Sequence, residues 1–326
     1  MGKKDDAIVP FFKDKERFSD LFNGALFHGR QLILPEELEL KDSVQTAILQ
    51  DKLRKKHSVR RYRDIVMNWN NQITLAILAC EVQETVHYAM PVRNMLYDSL
   101  SYTNQINELW DSLSDEEKRN IHSEEFLSHF RKEDFIYPVI TLVFYYGDNW
   151  DGSLDLHSMF NISNATMKHK QDIEILKQYV PYYHINMINP TKIEDLSVFK
   201  SDLQLIFGMI KCKDDKEKLF NFTKDNERYF SSVSSTTINA IDAFLNFNVE
   251  LETILEKNEK EEKNMCKALD DWYNNGVEKG KCEGRREGEL IGTIKTLYSY
   301  MKKTPEEIAD IVNQPVEYIE EILEVS

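Results

Sequence analysis

Long hydrophobic runs are missing from this chain: no apolar stretch approaches the roughly 20 residues that a membrane-crossing helix needs. Cysteine is scarce. The four present (Cys80, Cys212, Cys266, Cys282) have neither zinc-ligand spacing nor the pattern of a disulfide framework, as expected of a protein in a reducing cytoplasm. The first residues, Met-Gly-Lys-Lys-Asp-Asp, are too charged for a signal peptide, and Asp6 stands where a myristoylation site needs Ser or Thr. No P-loop, dinucleotide fingerprint, H-E-x-x-H helix or G-x-S-x-G elbow occurs, and the eight histidines do not cluster. Positive charge is in deficit: 41 Lys and Arg against 56 Asp and Glu give a net charge of −15, which as a whole opposes binding to nucleic acid.

The placement of that charge points the other way. The chain has 326 residues, 41% of them hydrophobic, enough to bury a substantial core. Its charge is unevenly spread. Residues 1–103 hold 15 Lys and Arg against 14 Asp and Glu, whereas the remainder holds 26 against 42. Within the first part Lys52, Arg54, Lys55, Lys56, Arg60, Arg61 and Arg63 crowd together just before Asp64. Such a run is commonly a solvated surface; beside a metal site it is also the chemistry that holds a phosphate backbone.

The run Ile73-Thr-Leu-Ala-Ile-Leu-Ala-Cys80 is short, apolar and partly β-branched, the signature of a strand buried on both faces. It ends in Glu81-Val82-Gln83, and strand alternation puts Glu81 and Gln83 on one side and Val82 on the other. A carboxylate there is costly to desolvate unless it binds a cation or a partner. Asp64 ends a second expected strand, Tyr62 to Trp69, joined to the first by the turn sequence Asn68-Trp69-Asn70-Asn71-Gln72. Two carboxylates and a polar residue at adjacent strand ends suit a Mg²⁺ (or Mn²⁺) site for phosphodiester cleavage; the ordinary alternative is a solvated edge or an ion pair.

Elsewhere the periodicity predicts a helix over Lys15 to Phe27, a polar stretch of low periodicity to about His57, and a helix opened by Pro91 with Arg93 and Tyr97 on one face. A strand is expected over Tyr137 to Tyr146 and mostly helical structure from Asn161 to about Glu256. Gly276, Gly280, Gly284, Gly288 and Gly292 then recur every four residues. Each costs a helix roughly 1 kcal/mol relative to alanine, which points to close helix–helix approach or else to a flexible linker. Thr304-Pro305-Glu306-Glu307 is a capping box opening a small helical hairpin, whose second helix carries Glu317, Glu320, Glu321 and Glu324 and no cation, unlike a DNA-reading helix.

Several of these pieces, in this order, resemble the Rpn family of recombination-promoting nucleases, often labelled transposases, within the PD-(D/E)XK nuclease superfamily. The pieces are Phe18-Ser19-Asp20-Leu21-Phe22-Asn23-Gly24, Arg61-Tyr62-Arg63-Asp64, Ala79-Cys80-Glu81-Val82-Gln83, Tyr88 to Tyr97, and Val143-Phe144-Tyr145-Tyr146-Gly147 with Trp150. The resemblance implies an α/β fold: a PD-(D/E)XK restriction-endonuclease-like core, a mixed sheet flanked by helices, with a helical C-terminal extension. It implies that Asp64 and Glu81 bind the metal, with a first-helix acid completing the set; Asp20 is the candidate, against Asp14 and Glu16. Gln83 stands where the superfamily usually has lysine, and a glutamine can hydrogen-bond but not supply a cation.

The expectation is therefore a Mg²⁺-dependent DNA endonuclease promoting recombination, with Asp64, Glu81 and Gln83 catalytic. Lys55, Lys56, Arg60, Arg61, Arg63 and Arg93 would hold DNA with weak sequence specificity. A nuclease core over residues 1–160, a helical extension over 161–256 and a charged, glycine-spaced segment over 257–326 make up the expected organisation. The chain would self-associate through its Gly276–Gly292 helix, without a membrane. The alternative is a catalytically inactive nuclease fold serving as an oligomerising interaction or regulatory module.

Overall fold

Asp14 accepts a hydrogen bond from the Arg17 backbone N–H at 3.0 Å and so caps α2 (Lys15–Phe27), the second of two helices that open the chain after α1 (Asp5–Phe12). Phe18, Leu21 and Phe22 recur at helical spacing and are fully buried, each stabilising the fold by about 1.5–3 kcal/mol. The helix ends where His28 and Gly29 adopt left-handed backbone (φ 53° and 83°). Asn23 fixes the exit: its Oδ1 accepts from the backbone of Leu32 and Ile33, and its Nδ2 donates to the Ile33 carbonyl. The structure, a computed structural model, describes residues 5–41, 44–50, 56–62, 64–69, 73–79, 86–147, 149–160, 170–245 and 262–324.

Among the described residues the main sheet has five strands. In sheet order these are β1 (Leu38–Lys41), β4 (Ile65–Trp69), β5 (Ile73–Ala79), β6 (Val139–Phe144) and β7 (Asn186–Ile188). The β1–β4 and β4–β5 pairs are antiparallel, and β5–β6 and β6–β7 are parallel. A parallel pair needs a crossover, and α3 (Met90–Asp111), followed by the short α4 (Asp115–Asn120) and α5 (Ser123–Ser128), supplies it. Between β1 and β4 the chain makes a separate antiparallel hairpin, β2 (Val44–Gln50) with β3 (Lys56–Tyr62). The single strand expected from Tyr62 to Trp69 is thus two: its first residue ends β3 in one sheet, and Ile65 opens β4 in another. The supposedly irregular stretch before His57 contains β1 and β2.

After α6 (Lys170–Lys177) and β7, four helices complete this unit: α7 (Leu203–Lys211), α8 (Lys216–Asp225), α9 (Glu227–Phe230) and α10 (Ser235–Leu245). Phe144 of the sheet meets Phe12, Phe207 and Phe244 with ring centroids 5.0–5.8 Å apart, joining α1, α7 and α10 to β6. The segment after residue 161 therefore contributes a strand to the sheet as well as helices to its cover.

One face of α2 holds four consecutive residues of the segment leading into α7. Arg17 donates to Asp202 through Nε (2.9 Å) and Nη2 (2.7 Å), and through Nη2 to the Thr237 hydroxyl at 2.9 Å. Asp20 accepts from the backbone N–H groups of Lys200 and Ser201 and from the Ser201 hydroxyl, at 2.6–2.9 Å. Gly24 leaves room for the Phe199 ring, whose Cε1 lies 2.2 Å from where a β-carbon would stand. Tyr229 of α9 donates to Asp202 at 2.6 Å; burial and then the Asp202 charge push its phenol well above the usual value.

Among the described residues, 264–324 form a second unit. Its long helix, Met265–Ser299, runs for 35 residues. The capping box at Thr304 opens Pro305–Val312, left-handed Asn313 ends it, and Val316–Glu324 follows. Ile308, Ala309 and Ile319 pack with Ile294 of the long helix into a small core. Among the described residues no helix is long and apolar enough to cross a membrane.

Breaking the partly buried Arg17–Asp202 pair from one side leaves a charge without its partner. Arg17→Met is expected to lower unfolding free energy by about 3 kcal/mol in denaturant titrations, and Arg17→Met/Asp202→Leu by less than the two single losses added. A raised Tyr229 pKa stabilises the fold fully below the unfolded value near 10 and progressively less above it. The wild-type advantage over Tyr229→Phe should therefore narrow as thermal unfolding is followed from pH 9 to pH 11; an advantage that widens would contradict this geometry.

Candidate active site at one end of the sheet

Strand directions decide which sequence segments meet. Ile65 pairs with Ile77 and Ala79 with Phe144, so the start of β4 and the ends of β5 and β6 share one edge of the sheet. Asp64, half-buried, immediately precedes β4 at that edge. β5 is apolar apart from Thr74, as expected of a central strand, and its last residue, Ala79, lies two positions before Glu81. Glu81 and Gln83 lie outside the described residues, as do Lys55 and Arg63.

Around this edge the chain is tightly braced. Tyr145 stands edge-on to Trp150 at 5.1 Å and donates through its hydroxyl to the Asn149 carbonyl at 3.1 Å. Asn189, just beyond β7, donates to the Gly147 carbonyl at 3.1 Å, and Lys192 donates to the Asn149 side chain at 2.9 Å. The segment entering α3 is fastened to the same loop. Tyr88 donates to Asp151 at 3.2 Å, and a β-carbon on Gly152 would stand 2.8 Å from Val86.

The first turns of α3 bring Arg93 and Tyr97 to this end. Arg93 Nε donates to the Tyr97 hydroxyl at 3.2 Å, with the guanidinium carbon 5.6 Å from the ring centre. Tyr97 is buried with Met90 against Val143, Tyr145 and Ile185, while Arg93 is half-exposed and has no carboxylate partner among the described residues. Tyr97 thus packs the helix against the sheet and holds Arg93 by its Nε.

Sequence reasoning missed a buried polar network behind this pair. Asp98 accepts from the Thr141 hydroxyl and from the Tyr183 hydroxyl, both at 2.6 Å, and Asn94 donates to Tyr183 at 2.8 Å. It locks α3 to β6 and to the strand-like segment before β7. Asn94 and Asp98 are four apart on the face that also carries Met90 and Tyr97, so polar residues in a buried helical stripe were the available signal.

Asp20 does not fit as a metal ligand in this geometry. Its carboxylate is 3% exposed and both oxygens already accept hydrogen bonds from residues 200 and 201, donors that a cation would have to displace. Of its competitors, Asp14 caps α2 and Glu16 is exposed in its first turn. Among the described residues no three His, Cys, Asp or Glu side chains gather as a metal site, so a metal here would rest on Asp64 and on Glu81. Lys56, Arg60 and Arg61 lie on β3, opposite Gln50, Thr46 and Gln45. A groove of about 580 Å³ lined by Asp155, His157, Ser158, Glu174, Lys177, Gln178 and Tyr182 includes none of these residues.

Asp20→Asn is expected to lower unfolding free energy by about 1–3 kcal/mol, equally in EDTA and in Mg²⁺, as measured by denaturant titration. A loss confined to the Mg²⁺ condition would return Asp20 to the metal site.

Comparison with family models, with curated proteins and with solved structures finds no match to this chain.

Proposed function

We propose that the chain is a cytoplasmic Mg²⁺-dependent DNA endonuclease built on a PD-(D/E)XK-like core, with its centre at the sheet end where Asp64 stands. The observation that carries this reading is the order and pairing of elements: helix α2, strands β1, β4 and β5, helix α3 and strand β6. In that arrangement Asp64 immediately precedes the strand paired with β5, and Glu81-Val82-Gln83 follows β5 in the sequence. The resemblance to the recombination-promoting nucleases implies a mixed sheet flanked by helices, and the reading rests on it together with this pairing, the hairpin β2–β3 being additional to it.

Asp64 and Glu81 are the residues to hold Mg²⁺ or Mn²⁺. A divalent ion bound there polarises the scissile phosphate and lowers the pKa of water. The chain's own groups divide the remaining work. Arg93, held through Nε by Tyr97, offers its free guanidinium edge to a phosphate oxygen. Gln83 hydrogen-bonds the attacking water or the phosphate without the charge that a lysine adds, so turnover is slow relative to lysine-bearing nucleases. Lys55, Lys56, Arg60, Arg61 and Arg63 grip the DNA backbone, which makes binding dependent on salt and weakly specific for sequence.

A second reading, an inactive nuclease fold acting as an oligomerising module, draws on the long helix. A β-carbon added at Gly280, Gly284, Gly288 or Gly292 meets nothing within 4 Å. Among the described residues nothing takes up the close approach that these four glycines permit, and this reading assigns that approach to a second copy of the chain.

The test is cleavage of supercoiled plasmid. Cutting is expected with Mg²⁺ or Mn²⁺, is abolished by EDTA, and falls at least ~100-fold in Asp64→Ala and in Glu81→Ala; Arg93→Gln retains metal dependence but loses about tenfold or more. Plasmid left intact by the native protein in both metals favours the oligomerising module. Cutting that persists in both carboxylate variants rejects this site.

A further inference from the structure

The groove lined by Asp155, His157, Ser158, Glu174, Lys177, Gln178 and Tyr182 shares no residue with the proposed nuclease site, and backbone pairing fixes its walls. Asp155 and His184 form an isolated antiparallel bridge. On either side of it the Leu156 N–H donates to the Tyr183 carbonyl at 2.8 Å and the Ile185 N–H to the Leu154 carbonyl at 2.9 Å. The segments that carry Asp155 and Tyr182 are therefore set before any ligand arrives, which lowers the entropy lost on binding. α6 supplies Glu174 and Lys177, and the turn that follows it supplies Gln178.

Its donors are largely used up internally, and its acceptors are not. The Ser158 hydroxyl donates its hydrogen to the Asp155 carbonyl at 2.8 Å, which leaves the Ser158 oxygen to accept. His157 Nε2 lies 2.9 Å from the Val180 carbonyl, which can only accept, so Nε2 carries the hydrogen and Nδ1 of the neutral ring is an acceptor. Asp155 accepts from the Ser158 N–H through Oδ1 at 2.8 Å and keeps Oδ2. Lys177, the only Lys or Arg among the lining residues, is 3.0 Å from Glu174 Oε1. Two carboxylates thus face one ammonium. Beside them stands an aromatic wall: Tyr182 is 64% exposed, with His184 stacked on it at 5.8 Å and His157 edge-on at 5.4 Å.

We propose that this groove receives an arginine side chain presented by a partner protein. A guanidinium brings five N–H donors in one plane, pairs with a carboxylate and lies flat on an aromatic ring, whereas an ammonium is a compact point charge. An anion, a DNA phosphate included, would meet two carboxylates instead. The net charge of −15 draws cationic partners to the chain. A guanidinium fills only part of about 580 Å³, and the remainder suits peptide backbone. The Gln178 side-chain amide offers both a donor and an acceptor and has no partner among the described residues, which matches a peptide group. The next residue, Tyr179, is 81% exposed and gives the partner chain an apolar surface to lie on. The inference goes beyond the nuclease reading and does not rest on it.

The probe is a fluorescent heptapeptide with one arginine among glycines and serines, and its binding to the full chain is followed by anisotropy. The same peptide with citrulline, the uncharged counterpart of arginine, is the control. The arginine peptide is expected to bind at least about tenfold tighter. Asp155→Asn keeps the oxygen that accepts from Ser158 and should weaken binding about tenfold; Tyr182→Ala should weaken it about fivefold, and Tyr182→Phe should retain it. Lys177→Gln removes the internal competitor for Glu174 and should strengthen binding about threefold. Circular dichroism melting checks that each variant is folded. An arginine peptide that binds no better than its citrulline counterpart overturns the proposal. Folded Asp155→Asn and Glu174→Gln variants that both keep native affinity also overturn it, as does weaker binding by Lys177→Gln. Argininamide that binds as tightly as the peptide overturns the protein source and leaves a small cation as the ligand.

Discussion

The packing of α2 on residues 199–202 is the constraint on which the larger unit depends. Arg17, Asp20 and Gly24 lie along one face of the helix and take hold of Asp202, of Lys200 with Ser201, and of Phe199 in turn. The partners are about 180 residues apart in the chain. Closing so long a loop costs entropy that grows only slowly with its length, whereas the contacts that close it are buried and charge-assisted. Through Asp202 and Thr237 the same clamp reaches α9 and α10, and through Phe199, which stacks edge-on with Phe207, it reaches the aromatic core against β6.

That clamp explains why part of the resemblance is about folding rather than chemistry. In Phe18-Ser19-Asp20-Leu21-Phe22-Asn23-Gly24 every residue has a packing or hydrogen-bonding duty. Three fill the core, Ser19 bonds back to the Glu16 carbonyl, Asp20 and Gly24 receive residues 199–201, and Asn23 shapes the exit from the helix. The chemistry proposed for the sheet end uses none of them. Val143 to Gly147 with Trp150 behaves similarly: Tyr145 and Trp150 brace the loop at the edge of the sheet where Asp64 stands.

Much of the fold was legible where one periodicity dominates. The α2 and β5 boundaries follow from Phe18, Leu21 and Phe22 at helical spacing and from the unbroken apolar run after Ile73, and Pro91 marks the start of α3. What was not legible is short or long-range. β7 has three residues, too few for a pattern, and is held by pairing with β6. β3 mixes three cations with polar and apolar residues and β2 alternates imperfectly, so the two strands read as irregular surface in the sequence. Of the candidate site, the placement of Asp64 beside β5 and of Arg93 with Tyr97 at one end of the sheet follows from order in the sequence. The engagement of Asp20 does not, since its partners are settled by a turn 180 residues away.

The hairpin has a further consequence for how this fold can vary. Because β1 and β4 pair directly, the chain leaves the sheet after Lys41 and re-enters it at Ile65, and strands β2 and β3 take no part in the main sheet's pairing, although β2 packs against α3. A hairpin of different length or charge at this point would leave the pairing of β1 with β4 intact, would have to keep a strand packed on α3, and would still hand the chain to Asp64.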